Sequence, residues 1–267
     1  MLDSLRQMFK SKPKGRLPAV PDGTRYYVIG DIHGRLDLFK ALIKAIEEDD
    51  AEQPSAKTEI ILLGDLVDRG PDSAGVIART RKWQKKRTVR VLAGNHEEMF
   101  LEAFKKPDVL RHFLKHGGRE TIMSYGVSKK QFNAMTLDEL FAKLPQIVPK
   151  SERKYIASFE DMIIAGDYLF VHAGIDPKTP IDAQKRSDML WIRDRFLSHE
   201  GPLEKVVVHG HTIFDTVMDC GNRIGIDTGA FRSGVLTALV LEADQRRILQ
   251  ASENDGRIEI LQGDRAR

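Results

Sequence analysis

The sequence predicts an α/β fold in which two β-sheets stack face to face with helices outside them. Three observations lead there. From Arg25 to His96, strand-like and helix-like segments alternate three times. From Pro107 to Ser158 the pattern turns helical, as expected of a segment inserted into a larger frame. From Asp161 onward, short apolar runs return between turn residues. Repeated βα units build parallel sheets, and a later block of strands can form a second sheet against the first.

Taken in order, Arg25 to Ile29 (RYYVI) reads as a buried strand ending at Gly30, followed by a helix from Leu36 to about Glu48. Glu59 to Leu63 (EIILL) is the second strand, with a helix from about Asp72 to Lys85. Val89 to Leu92 is the third, with a helix starting near His96. Within the helical insertion, Gly117–Gly118 and Pro145 are expected as breaks. Asp161 to Ala165 and Tyr168 to His172 flank Gly166–Asp167, a hairpin signal. Val206 to Val208, Arg223 to Ile226 and Val235 to Leu241 complete the strands read from the sequence.

Composition narrows the function classes. A chain of 267 residues can bury a large core, and 41% apolar with 30% charged residues argues against disorder. A net charge of +3 gives no reason to expect nucleic-acid binding. No apolar run approaches the roughly 18 residues of a membrane span, so no transmembrane segment is expected. The N-terminus lacks the continuous apolar core of a signal peptide. One cysteine, Cys220, forbids an intrachain disulfide and fits a reducing cytoplasm. Residues 1–23, with Lys10, Lys12, Lys14 and Arg16 among prolines and glycines, read as a flexible basic arm. Leu2, Leu5, Met8 and Phe9 within it have the spacing of a small docking helix or a frayed end. The remaining 24–267 reads as one domain, with the insertion at about 107–158. Lys82, Lys85, Lys86 and Arg87 read as a solvated helix end.

Polar groups recur where the apolar strands stop. Asp31 and His33 follow the first strand in Gly30-Asp31-Ile32-His33-Gly34, and residues two apart in an extended chain face the same way. The second strand ends in Gly64-Asp65-Leu66-Val67-Asp68-Arg69-Gly70, the third in Gly94-Asn95-His96-Glu97. Later, Val171-His172-Ala173-Gly174 and His209-Gly210-His211-Thr212 each follow an apolar run. The carboxyl ends of strands are where α/β sites assemble. Carboxylates, imidazoles and an amide oxygen make a mixed N/O donor set that suits Mn, Fe or Zn.

In this order, GDIHG, GDLVDRG, GNHE, VHAG and HGHT resemble the calcineurin-like metallophosphoesterase superfamily, over roughly Tyr27 to Val240. The motifs are similar to those of its bacterial serine/threonine phosphoprotein phosphatase branch, and the diadenosine tetraphosphatases share much of the pattern. The resemblance implies a four-layer α-β-β-α sandwich with a helical cap, and two divalent metal ions, manganese first with iron or zinc as alternatives. It implies Asp31, His33 and Asp65 at the first metal, with Asp65 bridging, and Asn95, His172 and His211 at the second. His209 then becomes a neighbour of the site. His96 and Asp68 match the acid pair. Arg69 matches a phosphate-gripping arginine, and Arg193 in Leu190-Trp191-Ile192-Arg193-Asp194 a second. One departure stands out: the family's arginine two residues before the metal-binding asparagine is Ala93 here.

The implied reaction is hydrolysis of a phosphate ester by in-line attack of a metal-bridging hydroxide, with a phosphorylated protein or a small phosphorylated or nucleotide substrate. The leading expectation is a serine/threonine protein phosphatase. The rivals are a dinucleoside polyphosphate hydrolase and a catalytically silent metal-bound binding module. Arg119, in Gly117-Gly118-Arg119-Glu120-Thr121, reads either as a substrate contact or as a surface helix start. Trp83 and Trp191 read as packing residues, and Asp227-Thr228-Gly229 as part of the site floor.

Overall fold

The computed structural model describes residues 17–263. The basic cluster Lys10–Arg16 and the spacing from Leu2 to Phe9 therefore lie outside the described residues. The end of the expected arm is not free where it is described. The amide of Ala19 donates to Asp167 Oδ2 (2.9 Å) and that of Val20 to Ala243 O (3.0 Å). Val20 is buried between the sheets.

The first half alternates β1 (Thr24–Ile29), α1 (Leu36–Glu52), β2 (Lys57–Leu62), α2 (Ser73–Gln84), β3 (Val89–Val91) and α3 (Asn95–Glu102). Five further helices follow: α4 (Pro107–Phe113), α5 (Arg119–Ser124), α6 (Lys129–Asn133), α7 (Leu137–Ile147) and α8 (Lys150–Ile156). Then come β4 (Met162–Ala165), β5 (Tyr168–Val171), α9 (Arg186–Trp191), α10 (Asp194–Leu197), β6 (Val206–His209), β7 (Met218–Asp219), β8 (Arg223–Gly225) and α11 (Ala230–Ser233). Three strands close the chain: β9 (Val235–Glu242), β10 (Gln245–Asn254) and β11 (Arg257–Gly263). The first sheet has the order β11-β10-β9-β1-β2-β3 and the second β4-β5-β6-β8-β7. β1, β2 and β3 run parallel, as do β5, β6 and β8.

Strand parity explains the sandwich. Successive side chains of a strand point to opposite faces. In β1, Tyr27 and Ile29 pack among the helices, whereas Tyr26 and Val28 pack between the sheets. β2 repeats this with Ile60 and Leu62 outward and Ile61 inward. In β5, Tyr168 and Phe170 face the first sheet, and Leu169 and Val171 face Met189 and Phe196 of α9 and α10. A strand covered on both faces must be apolar throughout, which is why these segments read as unbroken apolar runs. The layers are helix, sheet, sheet and helix.

Two expectations need correction. Pro145 does not end a helix but lies inside α7. A proline there removes only the hydrogen bond to the Phe141 carbonyl, and the helix stops two residues later, so little is lost. The strand set also extends beyond Leu241, through β10 and β11. Gly117 does break the helical run, at φ +103°. Among the described residues, no helix is long and apolar enough to cross a membrane.

One buried cation ties the sheet to α1. Arg25 is 1% exposed and donates to Glu242, to Asp50 Oδ1 (2.8 Å) and to Pro54 O (2.8 Å). The Glu242 side chain is 36% exposed and Asp50 keeps Arg87, so the cost is the lost charge-assisted hydrogen bonds, and Arg25→Met should cost about 2 kcal/mol in urea unfolding. A loss below about 0.5 kcal/mol would reduce the cluster to an ordinary surface pair.

Candidate metal centre

The loops that follow β1, β2, β3, β5 and β6 meet at one end of the sandwich. Their glycines leave the room that polar side chains fill. A Cβ on Gly94 would overlap the Asp65 carboxylate, and one on Gly210 the Asp31 carboxylate. The backbone turns sharply here. His33, Asp65, Asp68, Arg69 and His211 all have positive φ, between 44° and 73°. Non-glycine residues rarely adopt this region, and such strain persists only where surrounding contacts over-determine it.

Those contacts are present. Ile32 and His33 donate backbone amides to Asp65 O (3.1 and 2.8 Å). Glu97, 1% exposed, accepts from the amides of Asp65 and Gly94 at Oε2 (both 2.8 Å). Its Oε1 accepts from Leu66 (2.8 Å) and Val67 (3.3 Å). One carboxylate thus staples the β2 loop to the start of α3. Burial, then the charge of Asp65, pushes the Glu97 carboxyl up to about 7, against the pull of these amides.

The hydrogen-bond partners assign the imidazole tautomers. The Nδ1 atoms of His33, His96 and His172 face Val67 O (2.8 Å), Asp68 Oδ2 (2.6 Å) and Leu63 O (2.8 Å). A carbonyl or carboxylate oxygen only accepts, so each Nδ1 carries hydrogen. Burial holds His33 and His172 below the usual imidazole range, so both are neutral with an Nε2 lone pair. His96 differs: burial pulls its pKa down, but the charges of Asp65 and Asp68 outweigh it and raise it.

Lone pairs therefore converge. Asp65 turns Oδ2 towards His33 Nε2 (3.4 Å) and His96 Nε2 (4.0 Å), and Oδ1 towards His172 Nε2 (3.4 Å). Asn95 Oδ1 lies 3.0 Å from His172 Nε2 and 2.8 Å from His211 Nδ1. His172 Nε2, Asn95 Oδ1 and Asp65 Oδ1 are all acceptors with no hydrogen between them. Two groups thus have ligand atoms close enough to share an ion: His33, Asp65 and His96, and Asp65, His172 and His211. Among the described residues, His211 Nε2 is buried without a hydrogen-bond partner, and the buried Asp227 carboxyl lies against that of Asp31. Asp65 Oδ1 also accepts from the His96 amide (3.0 Å), but buried N and O acceptors that face one another remain costly unless a cation neutralises them, so the donor set fits divalent metal ions. Burial, opposed by the four surrounding imidazoles, leaves Asp65 ionised far below the usual carboxylate range.

The other predicted residues divide into those at the centre and those beside it. Asp31 accepts from the His211 amide (3.1 Å) and lies 4.0 Å from His33 Nε2. Burial, then Asp227 and Asp65, raises its carboxyl. Arg69 bridges the imidazoles, with Nη1 2.7 Å from His33 Nε2 and Nη2 2.9 Å from His96 Nε2. Phe231 lies under its guanidinium, 4.7 Å away. Arg193, at the exposed start of α10, depresses the His172 and His211 imidazoles by its charge, after the larger effect of burial. His209 packs between Phe196 and Phe214, and burial lowers it to about 4. Arg119 stays within the α5–α6 helices, donating to Asn133 Oδ1 (3.0 Å) over the Phe132 ring. Trp83 is buried as read, but Trp191 is 41% exposed. Its Nε1 donates to Glu98 Oε2 (2.7 Å), and its ring stands edge-on to His211. Sequence reasoning assigned no role to Glu97. Its place three residues after Gly94, at the third position of a helix, was a capping signal that pointed to backbone amides.

A sandwich with buried N/O clusters at its strand ends defines a metal-dependent hydrolase. The chain belongs to the calcineurin-like phosphoesterase family, whose model matches residues 24–232. It is a hydrolase of phosphate esters, and the family implies divalent metal ions. It is 30% identical to serine/threonine-protein phosphatase 1 of Salmonella typhimurium, over 79% of this chain and 89% of that protein. It is 26% identical to the asymmetrical bis(5'-nucleosyl)-tetraphosphatase PrpE of Anoxybacillus flavithermus, over 80% and 89% of the two chains. A solved structure of a cold-active protein tyrosine phosphatase superposes with a TM-score of 0.55 at 18% identity, covering 94% of this chain and 87% of the other. That likeness concerns the fold alone.

Because both clusters share Asp65, manganese added at 100 times its dissociation constant should stabilise the protein by about 2.7 kcal/mol per site in thermal unfolding. Asp65→Asn should abolish the shift. An undiminished shift in that variant would remove Asp65 from the metal centre.

Proposed function

We propose that this protein is a metal-dependent serine/threonine protein phosphatase. The observation that carries the reading is the division of the Asp65 carboxylate between two clusters, with the His96–Asp68 pair beside one of them. Asp31, His33 and Asp65 would hold one ion, and Asp65, Asn95, His172 and His211 the other. When bound, two such ions neutralise phosphate charge and lower the pKa of a coordinated water from 15.7 towards ~7. The mixed N/O donors support manganese, with iron and zinc fitting the same set.

The chain's own groups do the rest. Arg69 presents a planar fork to the space that His33 and His96 border, suited to two equatorial phosphate oxygens. Arg193 supplies a second cation near His172 and His211. His96 would carry the proton for the leaving oxygen at Nε2 once Arg69 Nη2 has turned from that atom to the phosphate, kept basic and oriented by Asp68 on Nδ1. Ala93 is 3% exposed, its amide bound to Glu160 O (2.8 Å), so no side chain reaches the phosphate from there. Arg69 and Arg193 must then serve alone. The similarity to serine/threonine-protein phosphatase 1 supports a phosphoprotein substrate. The exposed Cys220 thiol supports a reducing cytoplasm.

A second reading, hydrolysis of dinucleoside polyphosphates, is favoured by Trp191. An anchored, exposed indole beside His211 offers a face on which a base can stack.

Phosphate release by the manganese-loaded protein from a phosphoserine peptide should exceed release from diadenosine tetraphosphate, with Asp65→Asn inactive on both. Preference for the dinucleotide would establish the second reading. His96→Asn should retain bound metal while kcat falls on the order of 10²–10⁴-fold, most for poor leaving groups. Unchanged turnover would exclude His96 as the proton donor.

A further inference from the structure

The helices between β3 and β4 do more than flank the metal centre. Two of their residues touch the β2 loop at the acid pair itself. Gly117 O accepts from the Arg69 amide (3.1 Å), and a Cβ on Gly117 would lie 2.5 Å from that nitrogen. Four residues on, Thr121 of α5 is fully buried against Asp68.

The Thr121 hydroxyl is saturated by what surrounds it. Oγ1 donates to Asp68 Oδ1 (2.7 Å) and accepts from the Asp68 amide (2.8 Å). Its remaining lone pair faces the Ser73 hydroxyl at 2.9 Å, and Ser73 Oγ also accepts from the Asp68 amide (3.0 Å). A hydroxyl has one donor and two acceptor sites, and all three are used. These bonds grip Asp68 at its amide and at one carboxylate oxygen. The other oxygen, Oδ2, is left aimed at His96 Nδ1, 2.6 Å away. Among the described residues, Thr121 and His96 make the hydrogen bonds to that carboxylate. Asp68 has a φ of +73° and is 0% exposed, so no bulk water orients the carboxylate.

We propose that Thr121 is a positioning residue for proton donation. It fixes the Asp68 carboxylate so that Asp68 fixes His96, and the helical insertion thereby carries part of the acid machinery. The inference rests on His96 being the proton donor. It predicts an effect confined to the leaving-group step, with no change in metal binding.

The test uses the manganese-loaded full chain and an aryl phosphate series running from 4-nitrophenyl to phenyl. Thr121→Val keeps the side-chain shape and removes the hydroxyl; Thr121→Ser keeps the hydroxyl. Thr121→Val should lower kcat for phenyl phosphate by about 10- to 100-fold, part of what a positioned acid supplies, and far less for 4-nitrophenyl phosphate. KM and metal content should hold, and Thr121→Ser should return kcat to near wild type. An equal loss across the series, or no loss, would overturn the inference, as would failure of Thr121→Ser to rescue. If Thr121→Val does not fold, Thr121→Ser and Ser73→Ala decide: Ser73→Ala should steepen the series and Thr121→Ser should not. His96→Asn in the same series separates the two claims. If it steepens the leaving-group dependence and the hydroxyl variants do not, Thr121 alone is excluded. If it does not, the acid assignment fails and this inference with it.

Discussion

The whole site depends on one buried carboxylate. Asp65 is ionised, 2% exposed and set on a left-handed backbone, with one oxygen facing His33 and His96 and the other facing His172. Alone, such an arrangement is unfavourable: acceptors face acceptors in a region sealed from water. It persists because rigid neighbours hold it. Glu97 grips the loop from one side through three amides, and the β1 loop grips it from the other through Asp65 O. The energy stored in that convergence is what makes the site receptive to divalent cations.

The sandwich makes the convergence possible. Each sheet contributes parallel strands whose carboxyl ends point the same way, so Asp31, Asp65 and Asn95 arrive from one sheet and His172 and His211 from the other. Parity puts a mostly apolar set between the two sheets, with Val28, Ile61, Phe170 and Val208 facing inward beside Tyr26 and Tyr168. The inserted helices share the outer core of the first sheet through Leu110, Phe113 and Ile122. That packing brings Thr121 and Gly117 to the β2 loop. The acid pair shares the β2 loop and α3 with Asp65 and Asn95, and the inserted helices add a further hold on Asp68.

Much of this was legible in the sequence. The glycine-bounded polar clusters after apolar runs located every strand end that builds the site, because sharp turns and metal-competent donors are both chemically conspicuous. The C-terminal strands were not. In β10 only Leu249 and Ala251 are buried, and β11 is exposed along its length, so neither has a continuous apolar signature. Pro145 was misread because the cost of a proline depends on how much helix follows it. Glu97 and Thr121 escaped notice as working residues for a common reason. Each acts on groups brought near by folding: the capping position of Glu97 points to the Gly94 amide but not to the β2 loop, and nothing in the local sequence of Thr121 marks Asp68. Trp191 sits in an apolar stretch, and only the fold shows that its ring faces solvent beside His211.

The central claim is that Asp65 joins two ions in one centre. Electron paramagnetic resonance of the protein loaded with manganese tests it most directly. Two ions sharing a carboxylate should give a spin-coupled spectrum, unlike that of isolated Mn2+. A six-line spectrum of uncoupled ions at full loading would contradict the account.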